Sequence, residues 1–240
     1  INLSAVLEED FTWWKKNILF ARAPMIEPVY NLEIFSDASR TGWGVFCESQ
    51  RSHGYWKAED LELHINLLEL MAAFFGLKCF ASNKRHCNIL LRLDNTTAIA
   101  YINRMRDSRY EGLSTLAREI WQWCEQREIW ITASYIPSKE NAEADYESRK
   151  LQPETEFELD NSAFQKIVKV FGQPEIDLFA SRANAKCRRY VSSRKDSGSI
   201  AIDAFILEWK RFLFYAFPPF SVILKVLRKI EYEGSSGIVV

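Results

Sequence analysis

The chain has no Cys-x-x-Cys pair: its five cysteines, Cys47, Cys79, Cys87, Cys124 and Cys187, are scattered, and none has a histidine at metal-ligand spacing. That pattern suggests neither a disulfide framework nor a zinc site, and reads as reduced, buried thiols of an intracellular protein. Long apolar runs are missing too. The longest, Leu67 to Leu77 and Phe212 to Phe220, fall short of the roughly 20 residues a membrane helix needs. No charged, apolar and cleavable leader opens the chain, so no membrane partner is expected and the localisation reads as intracellular, cytoplasmic or nuclear. Neither an internal repeat nor a low-complexity segment occurs.

What is present is an ordinary globular composition. With 240 residues, 48% hydrophobic and 14% aromatic, the chain can bury a sizeable core in one to two domains. It starts at Ile1 and stops in the apolar stretch Gly237-Ile238-Val239-Val240, which suggests a piece cut from a longer polypeptide. Residues 1–30, with Phe11, Trp13, Trp14 and Phe20 before Pro24 and Pro28, read as a helical lead-in and connector. Residues 31–150 read as βββαβααβα: three short strands, a helix on Leu67, Leu68, Met71, Ala72 and Phe75, a continuous apolar strand from Ile89 to Leu93, two further helices, a strand from Ile129 to Tyr135 and a short helix from Asn141. An acidic stretch around Pro153, from Leu151 to Asp160, is the expected boundary of a small α/β module covering residues 151–240.

Four carboxylates sit at element boundaries of that central pattern: Asp37, Glu69, Asp94 and Asp145. Each has an ordinary explanation. Asp37 suits a turn, Asp94-Asn95 suits a helix N-cap, Glu69 could be a solvated helix residue, and Asp145 suits a first helical turn. Jointly they say more. Glu69 lies inside Leu67-Leu68-Glu69-Leu70-Met71-Ala72-Ala73, so its carboxylate is drawn inward, where an unpaired charge is costly and a bound cation offsets the cost. Asp37 and Asp94 end strands that can lie side by side. Acids without nearby His or Cys favour hard cations, Mg²⁺ or Mn²⁺. Two such ions roughly 3.5–4 Å apart activate a water and stabilise the leaving oxygen in phosphodiester cleavage.

Ser36-Asp37-Ala38-Ser39 with Gly42-Trp43-Gly44, Leu68-Glu69-Leu70 with Ala72-Ala73, Leu93-Asp94-Asn95, and Tyr135 to Asp145 with Ser148-Arg149 together resemble the ribonuclease H domain of retrotransposon reverse transcriptases over roughly residues 31–150. Within that group, Ala98 to Asn103, Asp177 to Arg182 and Phe217-Pro218-Pro219-Phe220 look most like DIRS-type tyrosine-recombinase retrotransposons. The resemblance implies an α/β ribonuclease H-like fold, a mixed five-stranded sheet flanked by helices. It implies Asp37, Glu69, Asp94 and Asp145 as catalytic, metal-binding carboxylates for two Mg²⁺, with Mn²⁺ as an alternative. It also implies hydrolysis of the RNA strand of an RNA–DNA hybrid to 5′-phosphate and 3′-hydroxyl ends, and a reverse transcriptase polymerase domain upstream as partner. Two positions depart from the family pattern. Many cellular relatives carry a His shortly before the fourth acid where this chain has Ser138-Lys139-Glu140, which implies slower turnover or assistance from Lys139 or Glu140. Arg104 to Arg109 stands where a glycine-containing turn is expected.

Substrate contacts are expected at Ser39 and Asn95 beside the acids and at Arg104, Arg106 and Arg109, with a second basic patch at Arg188 and Arg189 in the stretch from Arg182 to Lys195. Each of these charge runs could equally be a solvated surface. Shape, phosphates and 2′-hydroxyls would carry hybrid recognition, and a net charge of −1 implies weak, salt-sensitive binding by the fragment alone. The segment Asp177 to Tyr190 and the Phe-Pro-Pro-Phe resemble adenine-N6 methyltransferases, but Phe217 takes the polar position of that motif and no glycine-rich loop for a methyl donor is present, so a catalytically silent module or brace is expected. The competing reading of the whole chain is a non-catalytic scaffold or nucleic-acid-binding module of the same fold. A third is a nuclease acting on another nucleic acid.

Overall fold

The structure is a computed structural model that describes residues 5–19, 29–104, 110–150 and 158–240. Pro24, Pro28 and Phe20 of the connector, Arg106 and Arg109 of the basic corner, and Leu151 to Phe157 of the expected boundary lie outside the described residues.

Helix α1, Ala5–Asn17, leaves Phe11, Trp13 and Trp14 about half exposed. Trp13 Nε1 donates to Glu125 Oε1 at 2.5 Å. Three antiparallel strands follow: β1 Leu32–Ala38, β2 Gly42–Cys47 and β3 Gln50–Tyr55. Ser39 forms the first tight turn by accepting from the backbone N–H groups of Thr41 and Gly42 at 3.0 and 3.2 Å. Helix α2, Ile65–Ala81, is apolar on nearly every side, as a helix sealed between a sheet and other helices must be. Strands β4, Cys87–Leu93, and β5, Ile129–Tyr135, then join parallel to β1, giving the order β3-β2-β1-β4-β5. Parallel pairing needs crossovers, supplied by α2 and by α3, Thr96–Asn103, with α4, Glu111–Glu125. Helix α5, Ala142–Ser148, closes the unit. The result is a mixed five-stranded sheet flanked by helices. Ile34, Trp43, Leu68, Leu77, Leu91 and Ile120 lie at the centre of its core.

Helix α6, Asn161–Phe171, opens a second α/β layer, capped by Asp160, whose Oδ1 accepts from the backbone of Ser162 at 2.9 Å. Strands β6 Ile176–Asp177, β7 Arg189–Ser192, β8 Ala201–Ile202, β9 Phe214–Ala216 and β10 Gly237–Val239 make an all-parallel sheet of order β10-β9-β6-β7-β8. Helix α7, Ile223–Glu233, ends at Gly234 in the left-handed conformation (φ 61°), the usual glycine stop. This sheet has its own core of Ile176, Val191, Trp209, Phe214 and Val226. It meets the first unit through its basic segment: Arg182 pairs with Asp60 at 2.7 Å and lies over the Phe75 ring, and Ser52 Oγ donates to the Lys195 carbonyl at 2.6 Å. No described helix is long and apolar enough to cross a membrane.

Candidate active site

Strand register decides where the first two acids go. β1 and β4 run parallel with Phe35 opposite Arg92; two residues further along each strand come Asp37 and Asp94, at the same end of adjacent strands. On β2, Gly44 is the partner of Asp37. Helix α2 packs across this sheet and turns Glu69 toward the same end. Asp37, Glu69 and Asp94 each offer a carboxylate oxygen within 4.8 Å of the others. Three of the four acids expected to converge are thus brought together.

Burial makes the cluster electrostatically unfavourable as it stands. Glu69 is 5% exposed, and its Oε2 has no hydrogen-bond partner among the described residues. Desolvation first, then the charges of Asp37 and Asp94, push its pKa up to about 9, against a backbone N–H from Ala38. Asp37 is raised to about 6, mainly by desolvation. The hydrogen bond from Ser148 opposes that rise, and the Asp94 and Asp145 charges add to it. A buried orphan oxygen facing two further carboxylates, with no nitrogen or sulfur donor in the set, is the donor chemistry of a hard divalent cation. The residues present fit such an ion.

The fourth acid is held differently. Asp145 lies outside the set of three; its Oδ1 accepts from Arg149 Nε and Nη2, both at 2.7 Å. Its charge still contributes to the raised pKa of Asp37. The helix carrying it sits directly on β2, where a Cβ added at Gly44 would come within 2.2 Å of the Ala144 carbonyl, so this contact requires glycine. Ser148 Oγ donates to Asp37 Oδ2 at 2.6 Å, Ser39 Oγ donates to the Ser148 carbonyl at 2.6 Å, and Asn141 Nδ2 donates to the Ser36 carbonyl at 3.0 Å. Helix α5 and its N-cap are thus tied to β1 and the turn after it at three points. In the loop before it, Ser138 Oγ donates to Asp94 Oδ2 at 2.7 Å. Sequence reasoning marked this loop for its missing histidine and did not foresee that Ser138 orients an acid.

The other expected contacts fall in varied places. Ser39 is turned inward and buried, its hydroxyl occupied by the bonds already described. Asn95 caps α3, accepting from the Ala98 backbone at 2.9 Å, while its Nδ2 donates to Asn66 Oδ1 at 3.0 Å. Asn66, on the first turn of α2, is a neighbour the sequence did not suggest. Arg104 is exposed at the end of α3. Arg188 and Arg189 are exposed on the second unit, with Arg189 over the Phe212 ring at 4.9 Å. Neighbouring cations of that basic stretch are engaged internally: Lys186 with Glu158 at 3.3 Å and Asn161 at 2.8 Å, Lys195 with Gln50.

No family model and no curated protein matches the chain. Among solved structures, it is similar to RNase H1 from the halophilic archaeon Halobacterium salinarum NRC-1, with 17% identity and a TM-score of 0.42 over 48% of this chain and 92% of that one. It is similar to LC11-RNase H1 in complex with an RNA/DNA hybrid, at 19% identity, TM-score 0.41, 49% of this chain and 93% of the other. A third is the N-terminal RNase H domain of a Mycobacterium tuberculosis protein, solved as a fusion with maltose binding protein, at 12% identity, TM-score 0.40, 49% and 91%. These are likenesses of fold over about half of this chain.

Proposed function

We propose that the chain is a divalent-metal-dependent nuclease that hydrolyses the RNA strand of RNA–DNA hybrids. The observation that carries this reading is the buried Glu69 carboxylate, with Oε2 unpartnered among the described residues, facing Asp37 and Asp94 at adjoining strand ends. Together with the ribonuclease H-like motifs of residues 31–150, it supports phosphodiester hydrolysis over a purely structural role. Asp37, Glu69 and Asp94 would hold a Mg²⁺ or Mn²⁺ ion, and Asp145, at the rim, would share a second after releasing Arg149. Bound there, the cations supply positive charge that lowers the pKa of an attacking water and stabilises the departing 3′ oxygen. The chain itself keeps the acids in register: Ser148 fixes the Asp37 carboxylate and Ser138 that of Asp94.

Hybrid recognition would rest on shape and on the 2′-hydroxyl. Asn95 follows Asp94 directly; Arg104 at the far end of α3, Arg106, Arg109, Arg188, Arg189 and, if its turn opens, Ser39 are the remaining proposed contacts. The sequence resemblance further supports a retrotransposon reverse transcriptase of DIRS type as the source, with a polymerase domain as partner. On this reading residues 31–150 form the nuclease unit and residues 151–240 a methyltransferase-like module without methyl transfer, since Phe217 offers no acceptor for an adenine amino group.

The test is cleavage of a labelled RNA–DNA hybrid, beside duplex DNA and duplex RNA, in Mg²⁺ or EDTA, by the intact chain and by Asp94→Asn. Metal-dependent loss of the RNA strand, absent in the variant, is the expected result. Hybrid binding that survives the substitution with no cleavage in either protein replaces the nuclease with a binding module. The Asp145–Arg149 ion pair is the feature that favours that second reading, because it already neutralises one of the four acids.

A further inference from the structure

The active-site helix α5 is contacted from outside its own unit by a short polar chain. Glu147 lies on α5 between Asp145 and Ser148, with its side chain 2% exposed. Its Oε2 meets His53 Nδ1 at 2.6 Å, and Lys150 Nζ reaches both of its oxygens, at 2.8 and 2.7 Å. His53, on β3, meets Arg194 Nη1 with Nε2 at 2.9 Å. Arg194 belongs to the segment after β7 in the second unit, 141 residues along the chain from His53.

A guanidinium has donors and no acceptor, so Nε2 of His53 must be the accepting nitrogen. A neutral imidazole that accepts at Nε2 carries its proton on Nδ1 and donates it to Glu147. The Glu147 carboxylate has no proton to give and requires that same tautomer, so Arg194 serves to hold the ring in the place and orientation from which it bonds to α5. Without it, Nε2 loses its donor, the ring is free to turn toward water, and the Glu147 carboxylate, almost fully buried, no longer has a fixed donor at Oε2 beside Lys150. Burying a carboxylate with a missing partner is costly, and the simplest relief is a shift of the helix that carries it. The same helix presents Asp145 and supplies the Ser148 hydroxyl that fixes Asp37 at 2.6 Å.

We infer that Arg194 is a positioning residue of the candidate active site, acting through His53 and Glu147 to hold α5 in register, so that the second unit supports a site that its described residues do not touch. This rests on reading the acid cluster as a nuclease centre. It gives the second α/β layer a role that needs no chemistry of its own. Neighbouring contacts reinforce the same junction. Ser52 Oγ grips the Lys195 carbonyl beside Arg194, and the Arg194 guanidinium lies 5.8 Å from the centroid of Tyr55 on the same strand as His53.

The experiment compares the intact chain with Arg194→Met, which keeps the stem and removes the donors, Arg194→Lys, which restores a donor, and Lys195→Ala, which perturbs the same junction beside the relay. Three readouts are taken: the ring ¹⁵N shifts of His53, assigned with His53→Gln; the amide shifts of residues 142–148; and kcat and KM on a labelled hybrid. Arg194→Met is expected to shift the His53 Nε2 resonance as its donor is lost, displace the α5 amides and lower kcat about tenfold at unchanged KM, the scale on which outer partners of a metal site act. Arg194→Lys is expected to restore all three, and Lys195→Ala to leave them unchanged. Unchanged His53 ring shifts or unchanged kcat in Arg194→Met overturns the inference, as does an equal loss in Lys195→Ala. A native chain that cleaves nothing overturns the nuclease reading alone, and the relay is then decided by the ring and amide shifts.

Discussion

Both sheets bury an acid at the end of a central strand or on the helix packed over it, and the two acids are treated in opposite ways. Asp177, ending β6 of the parallel sheet, is 2% exposed and raised to about 6 by desolvation. Its oxygens are nevertheless occupied: Oδ1 accepts from the Phe179 backbone at 3.3 Å and Oδ2 from the Lys186 backbone at 3.0 Å. It is a staple for the loop that follows. Glu69, against the mixed sheet, is buried to a similar degree, but Oε2 has no partner among the described residues and faces two more carboxylates. Burial alone therefore does not distinguish a site from a scaffold. The distinction is whether the fold supplies the compensating donors or leaves them to something that binds.

The sharpest contrast is in rate. Asp37→Asn is expected to lower hybrid cleavage by more than about 100-fold, beyond what outer partners of a metal site contribute, whereas Asp177→Ala measured well below its melting temperature is expected to leave cleavage near that of the intact chain. Comparable losses in both would erase the comparison. The stability effect runs the other way. Removing the Asp177 carboxylate strands two backbone N–H donors and is expected to cost about 1–3 kcal/mol in urea unfolding; a change close to zero would mean the loop does not depend on it.

Smaller effects refine the metal side. Ser138→Ala frees the Asp94 carboxylate from its 2.7 Å bond and is expected to weaken Mn²⁺ binding, read by electron paramagnetic resonance titration, by about tenfold. The smallest effect is in pH. Burial holds the pKa values of Asp37 and Glu69 above those of the unfolded chain, so the native state retains protons that the unfolded state loses. The metal-free stability they contribute is full below the ordinary carboxylate values of 3.8 and 4.5, and is lost as pH rises toward about 6 for Asp37 and about 9 for Glu69. Glu69→Gln is therefore expected to melt higher than the intact chain in EDTA at pH 9, by on the order of 3 °C, with the gap closing near the ordinary carboxylate value of 4.5. Saturating Mg²⁺ is expected to reverse the order at the alkaline pH, because the cation takes the place of the proton. Parallel melting curves at both pH values would remove Glu69 from the site.

How much of this was legible beforehand differs by residue. The order of elements in residues 31–150 follows from apolar periodicity and turn chemistry, and Asp37 and Asp94 were placed at strand ends by the same local signals. Glu69 stood out because a charge inside an apolar helix must face something. Asp145 was recognisable as part of a motif, but its pairing with Arg149 was not foreseen, because a four-residue spacing permits an ion pair without requiring one. The place of Ser39 beside the acids suggests a substrate contact, while the structure turns its hydroxyl to the Ser148 carbonyl, 109 residues away in sequence. The relay from Arg194 was invisible, since neither His53 nor Glu147 lies in any local pattern.

The sequence by itself determined the alternation of strands and helices, the all-oxygen character of the acid set and the apolar surroundings of Glu69, because each depends on residues within a turn or two of one another. Tertiary structure alone decided which three acids share a point in space, that Ser138 and Ser148 hold two of them, and that an arginine from the second unit meets His53, which in turn bonds to the helix beside them. Those outcomes depend on strand register and on the packing of one unit against the other. The contacts involved join positions 44, 111 and 141 residues apart, and no local propensity encodes a distance of that kind.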